Sequence, residues 1–192
     1  GLLDIDYQLT DNTPNAVLIG SAFNDFLKLG GSGNKAADGA AGADIIDGGT
    51  GSTFITGGGV GAADTFFLDG RASGVSWSTI TDFELGTDKA TIWGWKAGVS
   101  RVSTAFADFN NGGASGYTGL TLHFENLLPD GSAGSDRNAN LNSMTLTGMR
   151  LSDFGATMIE QLNAQIASNL NPHFVVGSVA DTFGEHGYLY IS

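Results

Sequence analysis

The sequence predicts a mostly β chain: a short parallel β-roll, or β-solenoid, followed by a β-strand extension and one amphipathic helix near the C-terminus. Three observations carry that reading. From Gly30 to Gly58 the chain repeats every nine residues, as GGSGNKAAD, GAAGADIID and GGTGSTFIT, and glycine opens each block at Gly30, Gly39, Gly48 and Gly57. The 30 glycines against 3 prolines, with no Gly-X-Y period, favour many tight turns between short strands. Period-two alternation recurs after the repeats, and only 151–171 changes to a helical period.

The template behind these blocks is GGxGxDxUx, where U is a large apolar residue; it implies a solenoid in which each block is one tight turn plus one short strand, and the sequence departs from it at position six. Its glycines let the backbone turn sharply and take φ > 0. Position eight must then point inward, and in successive blocks it is Leu27, Ala37, Ile46, Ile55 and Phe66. Those five stack as the expected core, with Ala37 leaving one layer thin.

The stretch resembles the hemolysin-type calcium-binding repeats of RTX proteins, the β-rolls exported by bacterial type I secretion systems. That resemblance implies that two blocks make one coil, so alternate blocks share an edge, and that position six carries calcium. A hard cation takes about 6–8 oxygen ligands, and a carboxylate supplies charge that carbonyls lack. Asp25, from a block starting at Gly20 with one extra residue, would share an edge with Asp44. Asp64, in a block two residues longer before its aspartate, returns to that edge. The turn residues Gly20, Ala22, Gly39, Ala41, Gly57 and Gly59 would complete the shells through carbonyls, giving one or two ions. On the opposite edge, Lys35 and Thr53 stand where aspartates belong, and the Lys35 ammonium would occupy the cation's place.

The chain reads as one domain over 1–192, with the roll at 15–70, a β extension at 71–150, and helix plus terminal strands at 151–192. Leu2 to Asn15 is a leading strand or extended arm ending in a turn at Asn12–Asn15, and Ala16–Ile19 is the strand that enters the roll. ADTFFLDG, Ala63–Gly70, and STITDFELGTDKATIWGW, Ser78–Trp95, resemble the segment that closes RTX rolls, which nominates Asp82 and Asp88 as further oxygen donors. Within TIWGW, alternation places Trp93 and Trp95 on the same side of one strand, where they cap the solenoid core if buried, the favoured reading, or stack on sugar rings if exposed. Gly119–Glu125 and Ser143–Leu151 read as strands, with a polar loop at Pro129–Asn140 between them.

Phe154, Met158, Leu162, Ile166 and Leu170 recur every four residues, which predicts an amphipathic helix with Ser152 as N-cap and Pro172 as stop. His173–Val179 and Gly187–Ser192 close the chain as strands.

Twenty acidic against eight basic residues give a net charge of −12, and the cations are scattered, which excludes a nucleic-acid surface. Divalent cations would relieve the self-repulsion. With no cysteine there is neither disulfide nor thiolate metal site, and no apolar run reaches the length of a transmembrane helix. His123, His173 and His186 lack ligand spacing, and no GxSxG, GxGxxG or GxxxxGK motif occurs. DFNNGG at Asp108–Gly113 opens like an EF-hand loop but has Gly119 at the twelfth position, so it is rejected.

The expected function is therefore that of a non-catalytic, calcium-binding module of a secreted, extracellular or cell-surface protein, supporting export and folding of a larger chain. The resemblance implies the type I secretion apparatus as a partner and a C-terminal export signal in place of an N-terminal leader. The alternative is a carbohydrate-binding accessory module similar to the R-modules of mannuronan epimerases, contacting polysaccharide through Trp77, Trp93, Trp95 or Tyr117.

Overall fold

Turns at glycine-rich positions send successive strands alternately into two facing sheets. The computed structural model describes residues 5, 7–31, 33–70, 76–108, 118–125, 142–146, 159–182 and 184–192. One seven-stranded sheet runs in the order β1 (Tyr7–Asp11), β3 (Asp25–Leu29), β5 (Ile45–Thr50), β7 (Thr65–Asp69), β9 (Lys89–Trp93), β14 (Gly184–Ile191), β13 (Phe174–Asp181). The other runs β10 (Arg101–Asp108), β11 (Thr118–Glu125), β12 (Asn142–Leu146), β8 (Ser76–Ile80), β6 (Ser52–Thr56), β4 (Asn34–Asp38), β2 (Val17–Ile19). Odd strands fill one sheet and even strands the other as far as β9, which makes a parallel β-solenoid of about three turns.

Pairing is parallel from β1 through β9 in the first sheet and from β2 through β8 to β12 in the second. Beyond that the chain reverses. β14 and β13 add antiparallel strands to β9, and β11 and β10 add them to β12. The helix α1 (Ile159–Ala167) packs against β10 and β13, the outermost strands at that end. Asn163 fixes it there: its side chain accepts from the Val102 N–H at 2.9 Å and donates to the Val102 carbonyl at 2.7 Å.

Between the sheets lies the core expected from position eight. Leu27, Ile46, Ile55 and Phe66 are fully buried, Ala37 nearly so, and Leu29, Leu68, Ile80 and Ile92 join them. Phe83 fills the end of this stack, 6.2 Å from Phe66 ring to ring.

Three expectations need correction. Trp93 and Trp95 do not share a face, because Gly94, at φ 100°, ends β9 and redirects the chain. Trp95 is buried, while Trp93 lies on the outer face of its sheet, edge-on to Tyr188 at 5.3 Å. Leu170 does not continue the helical stripe. Leu162 and Ile166 are buried, but the helix stops at Ala167, Asn169 adopts φ 54°, and Leu170 is 76% exposed. Strand β10 was not expected at all. The helix positions Ser152, Phe154 and Met158, the 147–151 end of the expected strand, the loop at Pro129–Asn140, residues 109–113 of the rejected loop and Tyr117 lie outside the described residues, as does the Trp77 side chain.

Candidate metal centre

The turns β2–β3, β4–β5, β6–β7 and β8–β9 stack along one edge of the roll, and each delivers an aspartate just before or at the start of the following strand. These are Asp25, Asp44, Asp64 and Asp88, all buried. The shared edge expected for Asp25, Asp44 and Asp64 is what the geometry presents, and Asp88, from the closing segment, adds a fourth rung.

The rungs are linked by the backbone. The Asp25 N–H donates to Asp44 Oδ1 at 2.8 Å, the Asp44 N–H to Asp64 Oδ1 at 2.9 Å, and the Asp64 N–H to Asp88 Oδ1 at 2.9 Å. One oxygen of each later carboxylate is therefore spent on the preceding coil. At the two ends the other oxygen is also engaged: the Ser21 N–H donates to Asp25 Oδ2, and the Glu84 N–H to Asp88 Oδ2 at 2.8 Å. Asp44 Oδ2 is buried with no hydrogen-bond partner.

That orphaned oxygen faces a cradle that only glycine leaves open. Asp44 Oδ2 and the Gly57 carbonyl oxygen both lie against Gly39, in the space a Cβ would fill. Asp25 Oδ2 and the Gly39 carbonyl oxygen bracket Gly20 in the same way one coil earlier. The Asp25 and Asp44 rungs thus each pair a carboxylate oxygen with a turn carbonyl from the next coil, whereas Gly57 meets Asp64 Oδ2 without such a carbonyl. The Gly59 carbonyl, by contrast, already accepts from the Ala62 N–H at 3.0 Å. Ala22 and Ala41 belong to the same stacked turns.

Asp82 reaches this edge in a different role. Its two oxygens accept from the Gly57 N–H at 2.9 Å and the Gly58 N–H at 2.8 Å, so it clamps the preceding turn. Asn24, not singled out in the sequence, does similar work by accepting from the Ala43 N–H at 2.8 Å. The signal for it was available: the residue preceding the Asp25 rung is itself a short side chain able to bond a turn.

Burying carboxylates one coil apart, about 4.8 Å, is expensive unless each gains a proton or a cation. Among the described residues none of the four rung aspartates forms an ion pair. The carboxyls respond accordingly. Burial pushes Asp64 up to about 7 and Asp44 and Asp88 up to about 6, with neighbouring carboxylates adding to the rise and the amide bonds opposing it. All donors here are oxygens, which suits a hard cation. Among the described residues no three His, Cys, Asp or Glu side chains gather at one point, so any ion would need backbone carbonyls for most of its shell.

The opposite edge differs, as the sequence suggested. Thr53 Oγ1 donates to Ser78 Oγ at 2.9 Å, and the buried Lys35 ammonium points into the β3–β4 and β5–β6 turns. No helix among the described residues is long and apolar enough to cross a membrane. Comparison of the chain with family models, with curated proteins and with solved structures returned no match.

Proposed function

We propose that this chain is a non-catalytic, calcium-binding β-roll module of the RTX type, which folds outside the cell and supports export of a larger secreted protein through a type I apparatus. The observation that carries the calcium reading is Asp44: a buried carboxylate with one oxygen unpartnered, beside the Gly57 carbonyl, over a glycine that leaves the space open. Asp25 and Asp64, with the Gly20, Gly39 and Gly57 turns, extend the same arrangement along the edge. Because a cation would neutralise carboxylates that otherwise repel, its binding free energy adds directly to folding. Low calcium would then keep the chain loose for export, and high calcium would lock the roll.

Calorimetric calcium titration of the chelator-stripped full chain, with far-UV circular dichroism in parallel, tests this. One or two ions bind and β signal increases in the expected outcome, and Asp44→Ala weakens binding by at least tenfold. Unchanged affinity in Asp44→Ala would sink the reading. Polysaccharide contact ranks second because Trp95 is buried, and Trp93 is partly covered by its contact with Tyr188.

A further inference from the structure

The buried Lys35 on the other edge is held in a way that hydrogen bonding alone does not explain. Its Nζ lies 3.0 Å from the Leu29 carbonyl oxygen, 3.1 Å from Gly48, 3.2 Å from Gly31, 3.3 Å from Thr50 and 3.4 Å from Gly30. An ammonium has three protons to give and here meets five acceptors. Directed bonds cannot serve them one to one, so the arrangement is a shell of dipoles around a point charge.

The backbone is built around that charge. Register between β5 and β7 slips between Asp47 and Gly49, a bulge that takes the Gly48 carbonyl out of the regular ladder and leaves it for Lys35. Gly49 and Gly51, at φ 60° and 124°, bring the chain so close that a Cβ on either would stand 3.7 Å from Nζ. Two successive coils each contribute carbonyls, so the shell ties them together, as an ion between turns would.

We propose that this second edge is a cation-binding site filled from within: the Lys35 ammonium is its resident cation, and shortening Lys35 opens the cage to a free monovalent cation. The choice of a monovalent cation follows from the shell. All five ligands are neutral carbonyls, and their distances exceed the about 2.3–2.6 Å that calcium demands and the about 2.0–2.1 Å of magnesium. Rings of carbonyls at wider spacing replace the hydration shell of ammonium- or potassium-sized ions. Asp47, the acid whose charge acts on Lys35, has Oδ1 bonded to the Gly49 N–H and Oδ2 turned toward Lys28, so it balances the charge without joining the shell.

The consequence is a roll whose two edges have unlike requirements, one for an external ion and one for none. Two variants of the full chain test it by thermal denaturation. Lys35→Met keeps the stem and removes the charge, leaving the carbonyls facing a thioether, and its midpoint falls by roughly 10 °C in any salt. Lys35→Ala falls similarly when tetramethylammonium is the only cation and regains at least half the loss in ammonium or potassium chloride of equal ionic strength. Wild type shows no such difference between salts. A Lys35→Met midpoint equal to wild type, or a Lys35→Ala midpoint that is the same in tetramethylammonium as in ammonium or potassium chloride, overturns the proposal. Wild type and both variants are compared at one fixed calcium level, so failure of calcium to bind the aspartate edge does not affect the outcome.

Discussion

At Asp44 and Asp64 the cost of burial and the cost of crowding fall on the same atoms. Both carboxyls, and Asp88 with them, titrate well above the ordinary 3.8, chiefly because they are buried. Between about pH 4 and 7 the folded chain retains protons that the unfolded chain has released. With fewer protons bound in the unfolded state, stability falls as pH rises through this window. The calcium-stripped protein is therefore expected to melt higher at about pH 5 than at about pH 8, the reverse of a chain held by salt-bridged aspartates. If calcium occupies this edge as proposed, it should remove that slope, because it would bind the ionised carboxylates that high pH supplies. Melting curves across this range, with and without calcium, check both halves, and a midpoint that climbs with pH in the stripped protein would rule the argument out. Residue placement was legible where a template position named it: Asp25, Asp44 and Asp64 lie on one edge, and Lys35 on the other. What the template could not disclose was occupancy. That one Asp44 oxygen is orphaned while both Asp82 oxygens are spent on amides depends on how the turns stack, which no spacing records.

Strands and helix were legible to different depths. A period of two found most strands because sheet burial acts on alternate residues, but it overran at β9, where a single left-handed Gly94 outweighs the pattern and turns Trp95 into the core. The helix shows the same limit. Its apolar stripe runs on to Leu170, yet of the described stripe residues Leu162 and Ile166 are buried while Leu170 is exposed, because the left-handed Asn169 carries the chain out of the helix first. Equal hydrophobicity thus has unequal effect. Leu162→Ala should cost about 2–4 kcal/mol by loss of buried volume, whereas Leu170→Ala should stay within about 0.5 kcal/mol. In thermal denaturation that separates into a midpoint drop of roughly 5–15 °C against almost none. Similar losses for both would mean that Leu170 is covered after all.

For the whole molecule the decisive feature is that its ends are unlike. A solenoid's coils touch only their neighbours, so stability spreads along the axis as a chain of nearest-neighbour terms. At one end β1 and β2 each pair with a single strand, and Val17 and Ile19 on β2 are 65% exposed. At the other, β9 continues into the β14–β13 pair and β8 into β12, β11 and β10, while α1 packs on both outermost strands and is pinned at Val102 by Asn163. Opening one coil from the β1–β2 end sacrifices one interface, but opening from the far end requires the antiparallel strands and the helix to leave together. Native-state hydrogen exchange should therefore show amide protection that is weakest in β1 and β2, rises through β3 to β6, and plateaus from β7 through β9 and β14. Because the aspartate rungs bridge successive coils, calcium should raise protection most in the β2–β3 and β4–β5 turns and flatten the gradient. Protection that is uniform along the axis, or lowest at β13 and β14, would show that the strands and helix beyond β9 are not a cap but an independently opening layer.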